Sequence, residues 1–271
     1  MIKQLYIMKF NGTLLYSKRY VKEGKIEDNV LIGFFASLTN FSREALESEI
    51  QYIELGHDNK LVLFPQTPEK LLATAIVSSI DDSDLISKIL RNILQDFIGA
   101  FAPDYNPDKI KGSEDMERII EENLQGKISL PLIKRLIYSW ILLIPLCIFL
   151  NFLNFTSREY LFPDLYLQKE FYTQEEIYTE VLPTMVAISL IILMIVFILP
   201  NLISGYLVLN EKFAYLNSVI YLVLIIGIYF FTIESEFAYV IIAYMPLVFL
   251  ISIGFAYLGF RLAKKRKIIR K

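Results

Sequence analysis

The pattern of hydrophobic and polar positions divides the chain into two halves. Residues 1–125 alternate short apolar runs with polar turns, whereas the sequence from about Leu136 onward is almost continuously apolar. Short runs that end in turns are typical of a water-soluble domain of strands and helices. Apolar stretches of about 20 residues can cross a hydrocarbon core about 30 Å thick as helices. The pattern therefore predicts a soluble domain followed by a membrane region.

The soluble half is predicted to begin with a β-hairpin over residues 3–20. Its two apolar runs flank Asn11-Gly12, a pair that suits a type I′ turn because both central residues of that turn take a positive φ. Capping residues at 27–29 then predict a helix over about 30–46. Three strands and two helices follow, at about 50–55, 60–64, 71–80, 82–101 and 114–125. This order, ββαβββαα, predicts an α+β domain in which a five-stranded mixed sheet lies between helices.

The first helix carries two groups of apolar side chains. The larger group is predicted to face the sheet and consists of Val30, Leu31, Phe34, Leu38, Phe41 and Ala45. The smaller group lies on a shoulder of the helix and consists of Ile32, Phe35 and Leu46. An apolar shoulder beside an edge strand is a typical place for a partner helix or peptide to bind. The alternative is that the shoulder packs under residues 102–135 or against the membrane.

Four stretches without charged residues predict four transmembrane helices. They cover about 136–157, 182–209, 213–233 and 237–260. The flanks before the first stretch and after the last are basic, and the loop between the first two stretches is acidic, so both termini are expected in the cytoplasm. The predicted plan is thus a domain at 1–125, a basic linker at 126–135, the spans, and a basic cytoplasmic tail at 261–271. Anchoring at the membrane surface is predicted for Lys134, Arg135, Lys264, Lys265, Arg266 and Lys267.

Composition agrees with a membrane protein and restricts the chemistry. Of the 271 residues, 55% are hydrophobic, and the formal net charge of -2 favours no particular partner. The mean hydropathy is +0.46. The single cysteine, Cys147, lies in an apolar run, so an intramolecular disulfide and a cysteine metal cluster are excluded. The basic tail is interpreted as a topology anchor that touches acidic lipid, not as a nucleic-acid site.

The sequence contains no motif of an enzyme or a metal site. His57 lies in the polar turn "GHDN", where a solvated histidine is favoured over a ligand or a base. Asp81, Asp82 and Asp84 follow a strand, and helix capping explains them better than a cation site. No Gly-rich phosphate loop, G-x-S-x-G or His-Glu-x-x-His sequence is present. We therefore expect no enzyme activity, no catalytic residue, no metal and no cofactor.

The order of elements, with "FNGTLLYSKRY" near the start and "FFASLTNF" in the first helix, resembles the longin domain of trafficking proteins. The resemblance covers about residues 1–125 and implies binding to small GTPases, to other longin or roadblock-type domains, or to peptides. It also implies a binding groove between the first helix and the third strand, which adds Tyr52 and Ile53 to the shoulder as candidate binding residues. No long heptad segment precedes the membrane region, so the chain is more similar to multi-span longin proteins that lack a SNARE helix.

Two functions from different classes follow from these observations. The first is a membrane-tethered interaction module, with a cytoplasmic longin-like domain that binds a protein partner in trafficking or membrane organisation. The second is a small-solute channel or transporter, which would have to self-associate because four helices make a thin pore wall. Neutral polar residues in the spans, such as Asn201, Asn217 and Ser252, are expected to form hydrogen bonds between helices in preference to a substrate path.

Overall fold

The chain folds into two compact units. A computed structural model describes residues 1–21, 28–45, 50–56, 58–161, 173, 175, 178–179, 182–232 and 235–269. The first unit contains Met1–Leu130 together with Lys264–Lys271, and the second contains Pro131–Ala263. The segment after the last apolar helix therefore groups with the first unit, although the sequence indicated a separate basic tail.

The first unit is built on a single five-stranded sheet. Its strands are β1 (Ile2–Lys9), β2 (Leu14–Arg19), β3 (Tyr52–Leu55), β4 (Asn59–Gln66) and β5 (Leu71–Ser78). They lie in the order β2-β1-β5-β4-β3, and every neighbouring pair is antiparallel. The prediction of a mixed sheet was wrong, because the one connection that keeps the strand direction, from β2 through α1 to β3, joins the two opposite edges of the sheet and creates no parallel pair.

The predicted hairpin is present as the antiparallel pair β1 and β2. The N–H of Gly12 donates to the carbonyl of Lys9 at 2.9 Å, the hydrogen bond of a β-turn. The central residues of this turn are Phe10 and Asn11, neither of which has a positive φ, and Gly12 follows them with a φ of +85°. The turn is therefore not of type I′, since that type needs positive φ at both central residues.

Helices cover both faces of the sheet. They are α1 (Asp28–Ala45), α2 (Ser83–Phe101), α3 (Pro107–Ile110) and α4 (Glu114–Leu124). Leu5 and Ile7 of β1 share a core cluster with side chains of α2, α3 and α4, whereas Tyr6 and Met8 belong to a cluster with α1. Strand β1 is thus buried on both faces, as its apolar sequence predicted. The short helix α3 was not predicted, and it lengthens the order to ββαβββααα.

The predicted buried face of α1 is only partly confirmed, because Leu31 and Leu38 pack against the core whereas Val30, Phe34 and Phe41 are exposed. Ile32 and Phe35 are only 4% and 1% exposed, and they pack against the sheet together with Tyr6 of β1. The small residues Ala36, Thr39 and Ser42 complete this face. The two hydroxyl groups bond to backbone carbonyls of the same helix, at 2.9 and 3.0 Å, so they can be buried without losing hydrogen bonds. The face that packs is the one whose small side chains let the helix approach the sheet, not the one with more large apolar residues.

The second unit consists of long apolar helices. They are α5 (Leu132–Leu161), α6 (Leu182–Val208), α7 (Glu211–Thr232) and α8 (Ser235–Lys264), whose last residue is assigned to the first unit. Within the described residues, three segments are long and apolar enough to cross a membrane, namely Leu132–Leu153, Glu211–Ile228 and Tyr244–Lys264. The apolar segment Met194–Val208 of α6 is shorter. These features fit an integral membrane protein.

Candidate functional site

The outer face of α1 carries three large apolar side chains that the fold does not bury. Val30 is 64% exposed, Phe34 49% and Phe41 57%. At 100° per residue the three point in nearly the same direction, opposite to Ile32 and Phe35. Clusters of exposed apolar side chains on a soluble domain are typical of interaction sites. We refer to Val30, Phe34 and Phe41 as the α1 stripe.

Strand β3 lies at one edge of the sheet. Its residues pair with β4, from Tyr52 opposite Val62 to Leu55 opposite Asn59, and β3 is the last strand in the sheet order. Its side chains alternate, so that Tyr52 is 52% exposed while Ile53 is half-buried against the α1 side of the core. An edge strand of this kind can accept an additional strand from another chain.

The binding residues predicted from the sequence lie in different environments. Ile32 and Phe35 belong to the core, Ile53 is half-buried, and Tyr52 is exposed. Leu46 lies outside the described residues, as does His57. A binding role for these residues stays a prediction. The α1 stripe, in contrast, was assigned to the core by the sequence pattern, and only the packing of the small residues on the opposite face reveals it as exposed.

A second feature of the first unit is the segment that follows α8. Ile268 is 1% exposed and belongs to the core cluster that α2 and α4 line. The backbone of Ile268 pairs with that of Ile128 in parallel, through Ile268 N to Lys127 O at 2.7 Å and Ser129 N to Ile268 O at 2.9 Å. Residues far apart in the sequence therefore complete one core.

Asp81 binds this segment at the junction between β5 and α2. The carboxylate is 1% exposed, and its Oδ1 accepts the N–H of Ile269 at 2.8 Å, while Oδ2 pairs with the ammonium group of Met1. The ammonium group of Lys60 donates to the backbone carbonyl of Asp81 and to Ser83 Oγ, the latter at 2.8 Å. Burial, followed by the nearby charge of Lys264, lowers the pKa of Lys60.

The neighbouring Asp82 has a structural role. It is the N-cap of α2, and its Oδ1 accepts the N–H of Leu85 at 3.1 Å. Capping was the function expected for this acidic cluster, and it is confirmed for Asp82. Among the residues that the structure describes, no group of three or more His, Cys, Asp or Glu side chains could hold a metal ion.

An electrostatic contact joins the hairpin to α4. Glu117 accepts a hydrogen bond from the hydroxyl of Tyr16 at 3.0 Å and forms an ion pair with Lys18. The bond from Lys18 is the main reason why the pKa of Glu117 lies below its usual value. Burial, with the charge of Glu117, raises the pKa of Tyr20 to about 12. These groups stabilise the contact between β2 and α4.

The basic residues predicted to anchor the protein at a membrane surface differ in their contacts. Lys134, Lys265 and Arg266 are exposed. Arg135 is only 5% exposed, and its Nη1 donates to the carbonyl of Val208 at 2.6 Å. Lys264 is half-buried, and the ammonium group of Lys267 donates to the carbonyl of Gly126. The predicted anchoring role is not tested by these contacts, but Arg135 and Lys267 also hold the protein's own backbone.

Neutral polar side chains are buried inside the second unit. Ser139 of α5 and Asn217 of α7 both contact the hydroxyl of Ser204 on α6, each at 3.4 Å. Hydrogen bonds between helices, expected from the sequence, are therefore present. Asn201 Oδ1, Ser218 Oγ and Ser252 Oγ are also buried, and they have no hydrogen-bond partner among the described residues. The interior of the second unit therefore contains oxygen atoms that could form additional hydrogen bonds.

Helices α6 and α8 approach each other closely through small residues. A Cβ atom on Gly205 would overlap the carbonyl oxygen of Ala256, and one on Gly259 would overlap the carbonyl oxygen of Leu202. Ser252, Ala256 and Gly259 lie on one face of α8, and small residues at this spacing are typical of close contacts between helices.

Comparison of the whole chain with protein-family models and with curated proteins found no match. Any functional conclusion therefore rests on the surfaces described above.

Proposed function

We propose that the protein is a membrane-anchored interaction module. Its first unit is a longin-like domain that binds a small GTPase, another longin or roadblock-type domain, or a peptide segment, in trafficking or membrane organisation. The observation that supports this most directly is the α1 stripe, because Val30, Phe34 and Phe41 are large, apolar and exposed on a domain with a well-packed core. Such side chains bind strongly when a partner removes them from water.

The edge strand β3 supports the same proposal. A partner that covers the α1 stripe could also pair with the backbone of β3, and side-chain pockets would then add to main-chain hydrogen bonds. Tyr52, at 52% exposure, is the side chain on β3 most available for this contact. Tyrosine is enriched among residues that dominate binding energies, since its ring is large and its hydroxyl remains able to hydrogen-bond.

The proposed anchor has four spans. We assign the fourth to α6, which has 27 residues and no charged side chain within Leu182–Val208. Four spans return the chain to the side on which it started, and the positive-inside rule then places both termini in the cytoplasm. The first unit, which contains residues from both ends of the chain, would face the cytoplasm as well.

The test of the interaction uses the full chain in detergent. Wild-type protein and Phe34→Glu would be compared in binding to purified small GTPases in both nucleotide states and to longin and roadblock domains. We expect Phe34→Glu to abolish binding and to leave the melting temperature nearly unchanged, because this side chain is about half exposed. Arg118→Glu, on the exposed side of α4, is the control and should bind normally. Equal binding by both variants, or no binding by wild type, would reject the proposed surface.

The topology has its own test. In a Cys147→Ser background, single cysteines would replace Tyr178, between α5 and α6, and Lys109, on α3; both positions are exposed. A membrane-impermeant thiol reagent should reach position 178 in intact cells and position 109 only after permeabilisation. The opposite result would reverse the orientation, and labelling of both positions in intact cells would refute the four-span arrangement.

A small-solute channel or transporter is the second candidate function. It would have to be oligomeric, because four helices make a thin pore wall. The three buried oxygens of Asn201, Ser218 and Ser252 without a protein partner favour it, since unused polar groups inside a bundle can line a path for polar solutes. Solute flux into liposomes that contain the purified protein would support this candidate. If Asn201→Leu left such flux unchanged, these oxygens would not line the path.

A further inference from the structure

An apolar groove of about 460 Å³ lies between α5 and α6. Tyr138, Ile141 and Leu142 of α5 line one wall, and Leu202, Ile203 and Tyr206 of α6 line the other. The volume lies within the range of about 300–1,000 Å³ that is typical of ligand sites. Both helices are long apolar helices of the second unit, so in a bilayer the groove would open toward acyl chains.

The groove has a positively charged end. Lys134 precedes Tyr138 by one helical turn and shares its face with Ile141, and it is exposed. Among the described residues, no carboxylate forms an ion pair with Lys134. The two tyrosines lie next to this end, and tyrosine is enriched at the boundary between hydrocarbon and headgroups. The groove therefore combines an apolar body with a cationic mouth.

The start of α5 and the end of α6 are held together at this mouth. Arg135 Nη1 donates to the carbonyl of Val208 at 2.6 Å, and Leu209 takes a φ of +51° where α6 ends. The guanidinium group is thus directed at the end of α6, where the partial charge of the helix dipole is negative. Glu211 and Lys212 begin α7, and their opposite charges offset each other. The remaining positive charge at the mouth comes from Lys134 and Arg135.

We propose that this groove binds one anionic phospholipid. An acyl chain would fill the groove between Ile141 and Ile203, and the phosphate would lie beside Lys134. Charge complementarity selects this occupant over a neutral lipid, because each basic residue near a membrane surface favours anionic lipid by a measurable amount. Burial of the acyl chain in a preformed groove adds contacts that a flat helix surface does not offer. The site does not depend on the proposed interaction function.

The experiment is a lipid titration of the purified full chain, monitored by native mass spectrometry. Phosphatidylglycerol and phosphatidylcholine with identical acyl chains are the two probes. We expect phosphatidylglycerol to bind more tightly, and Lys134→Gln to weaken it by roughly fivefold while hardly affecting phosphatidylcholine. Lys88→Gln, which removes an exposed cation on α2, is the matched charge control and should bind like wild type.

A second pair of variants tests the groove itself. Ile203→Trp should fill it and reduce the binding of both lipids, whereas Leu250→Trp, at a position on α8 that is 68% exposed, should not. If Ile203→Trp does not fold, Leu142→Trp on the opposite wall serves the same purpose. The proposal would be overturned by equal phosphatidylglycerol affinity in wild type and Lys134→Gln, or by an equal loss in Lys88→Gln. The proposal would also be overturned if a groove-filling variant bound both lipids like wild type. It would equally be overturned if the protein were a dimer that such a variant dissociates, because the groove would then hold a second copy of the chain.

Discussion

Replacing Ile268 with alanine is expected to destabilise the first unit, although this residue follows the last apolar helix. The side chain is 1% exposed and lies in the same core cluster as Ile89 of α2 and Ile120 of α4. The substitution keeps the backbone hydrogen bonds of residues 127–129 and 268, so it isolates the contribution of the side chain. If the segment after α8 were a free basic tail, Ile268→Ala would leave the stability of the first unit unchanged.

The size of the effect follows from the burial. Truncation of a fully buried isoleucine to alanine costs about 2–5 kcal/mol, because transfer free energy is lost and a cavity remains. The two backbone hydrogen bonds between Ile268 and residues 127–129 would contribute about 0.5–1.5 kcal/mol each, and the bond of Ile269 to the Asp81 carboxylate about 1.5–3 kcal/mol. Deletion of residues 267–271 should therefore be more harmful than Ile268→Ala.

Hydrogen exchange measured by mass spectrometry on the full chain in detergent is a suitable assay. Amides of the central strand β5 and of α2 should exchange through opening of the unit, so their protection reports its stability. A loss of 2 kcal/mol corresponds to about 30-fold faster exchange. Lys265→Ala is the control, since that side chain is exposed in the same segment.

Unchanged protection of β5 in Ile268→Ala would refute the reasoning. It would mean that the segment after α8 does not contribute to the core in solution. Faster exchange confined to residues 127–129, with β5 unaffected, would likewise contradict the prediction, because it would show a local contact and not a shared core. A comparable effect of Lys265→Ala would indicate that the whole segment is sensitive to substitution, irrespective of the burial of Ile268.

Two further predictions concern the same unit. Phe35→Ala should lower the free energy of unfolding by about 3–5 kcal/mol, whereas Phe34→Ala should change it by less than about 1 kcal/mol, as measured by thermal melting; equal losses would contradict the assignment of the α1 faces. Because the pKa of Glu117 is lowered in the folded state, mainly by the bond from Lys18, its contribution to stability is fully present above the ordinary pKa of 4.5 and is lost as the pH falls below that value. Glu117→Gln should flatten this part of the pH dependence of the melting temperature, and an unchanged slope would argue against the contact with Lys18 and Tyr16.

The sequence by itself determined the division of the chain and most of its elements. A hairpin at Asn11-Gly12, a helix beginning after Asp82 and long apolar stretches from Leu136 onward depend on local rules of turn formation, capping and length. Close contact at Gly259 was also predictable, since small residues on one helical face are a local property. These features need no knowledge of what the segment packs against.

The tertiary structure alone decided which face of α1 is buried and where the segment after α8 lies. Helix α1 has apolar residues on two sides, and a helical wheel favours burial of the side with more large apolar residues. In the structure Ile32 and Phe35 are buried instead, because the small residues beside them allow a closer approach to the sheet. Ile268 carries no local signal of burial, since it follows a run of basic residues. Its place in the core arises from a parallel contact with Ile128 across a separation of 140 residues that no local periodicity encodes. Long-range packing free energy therefore determined both the exposed α1 stripe and the completed core.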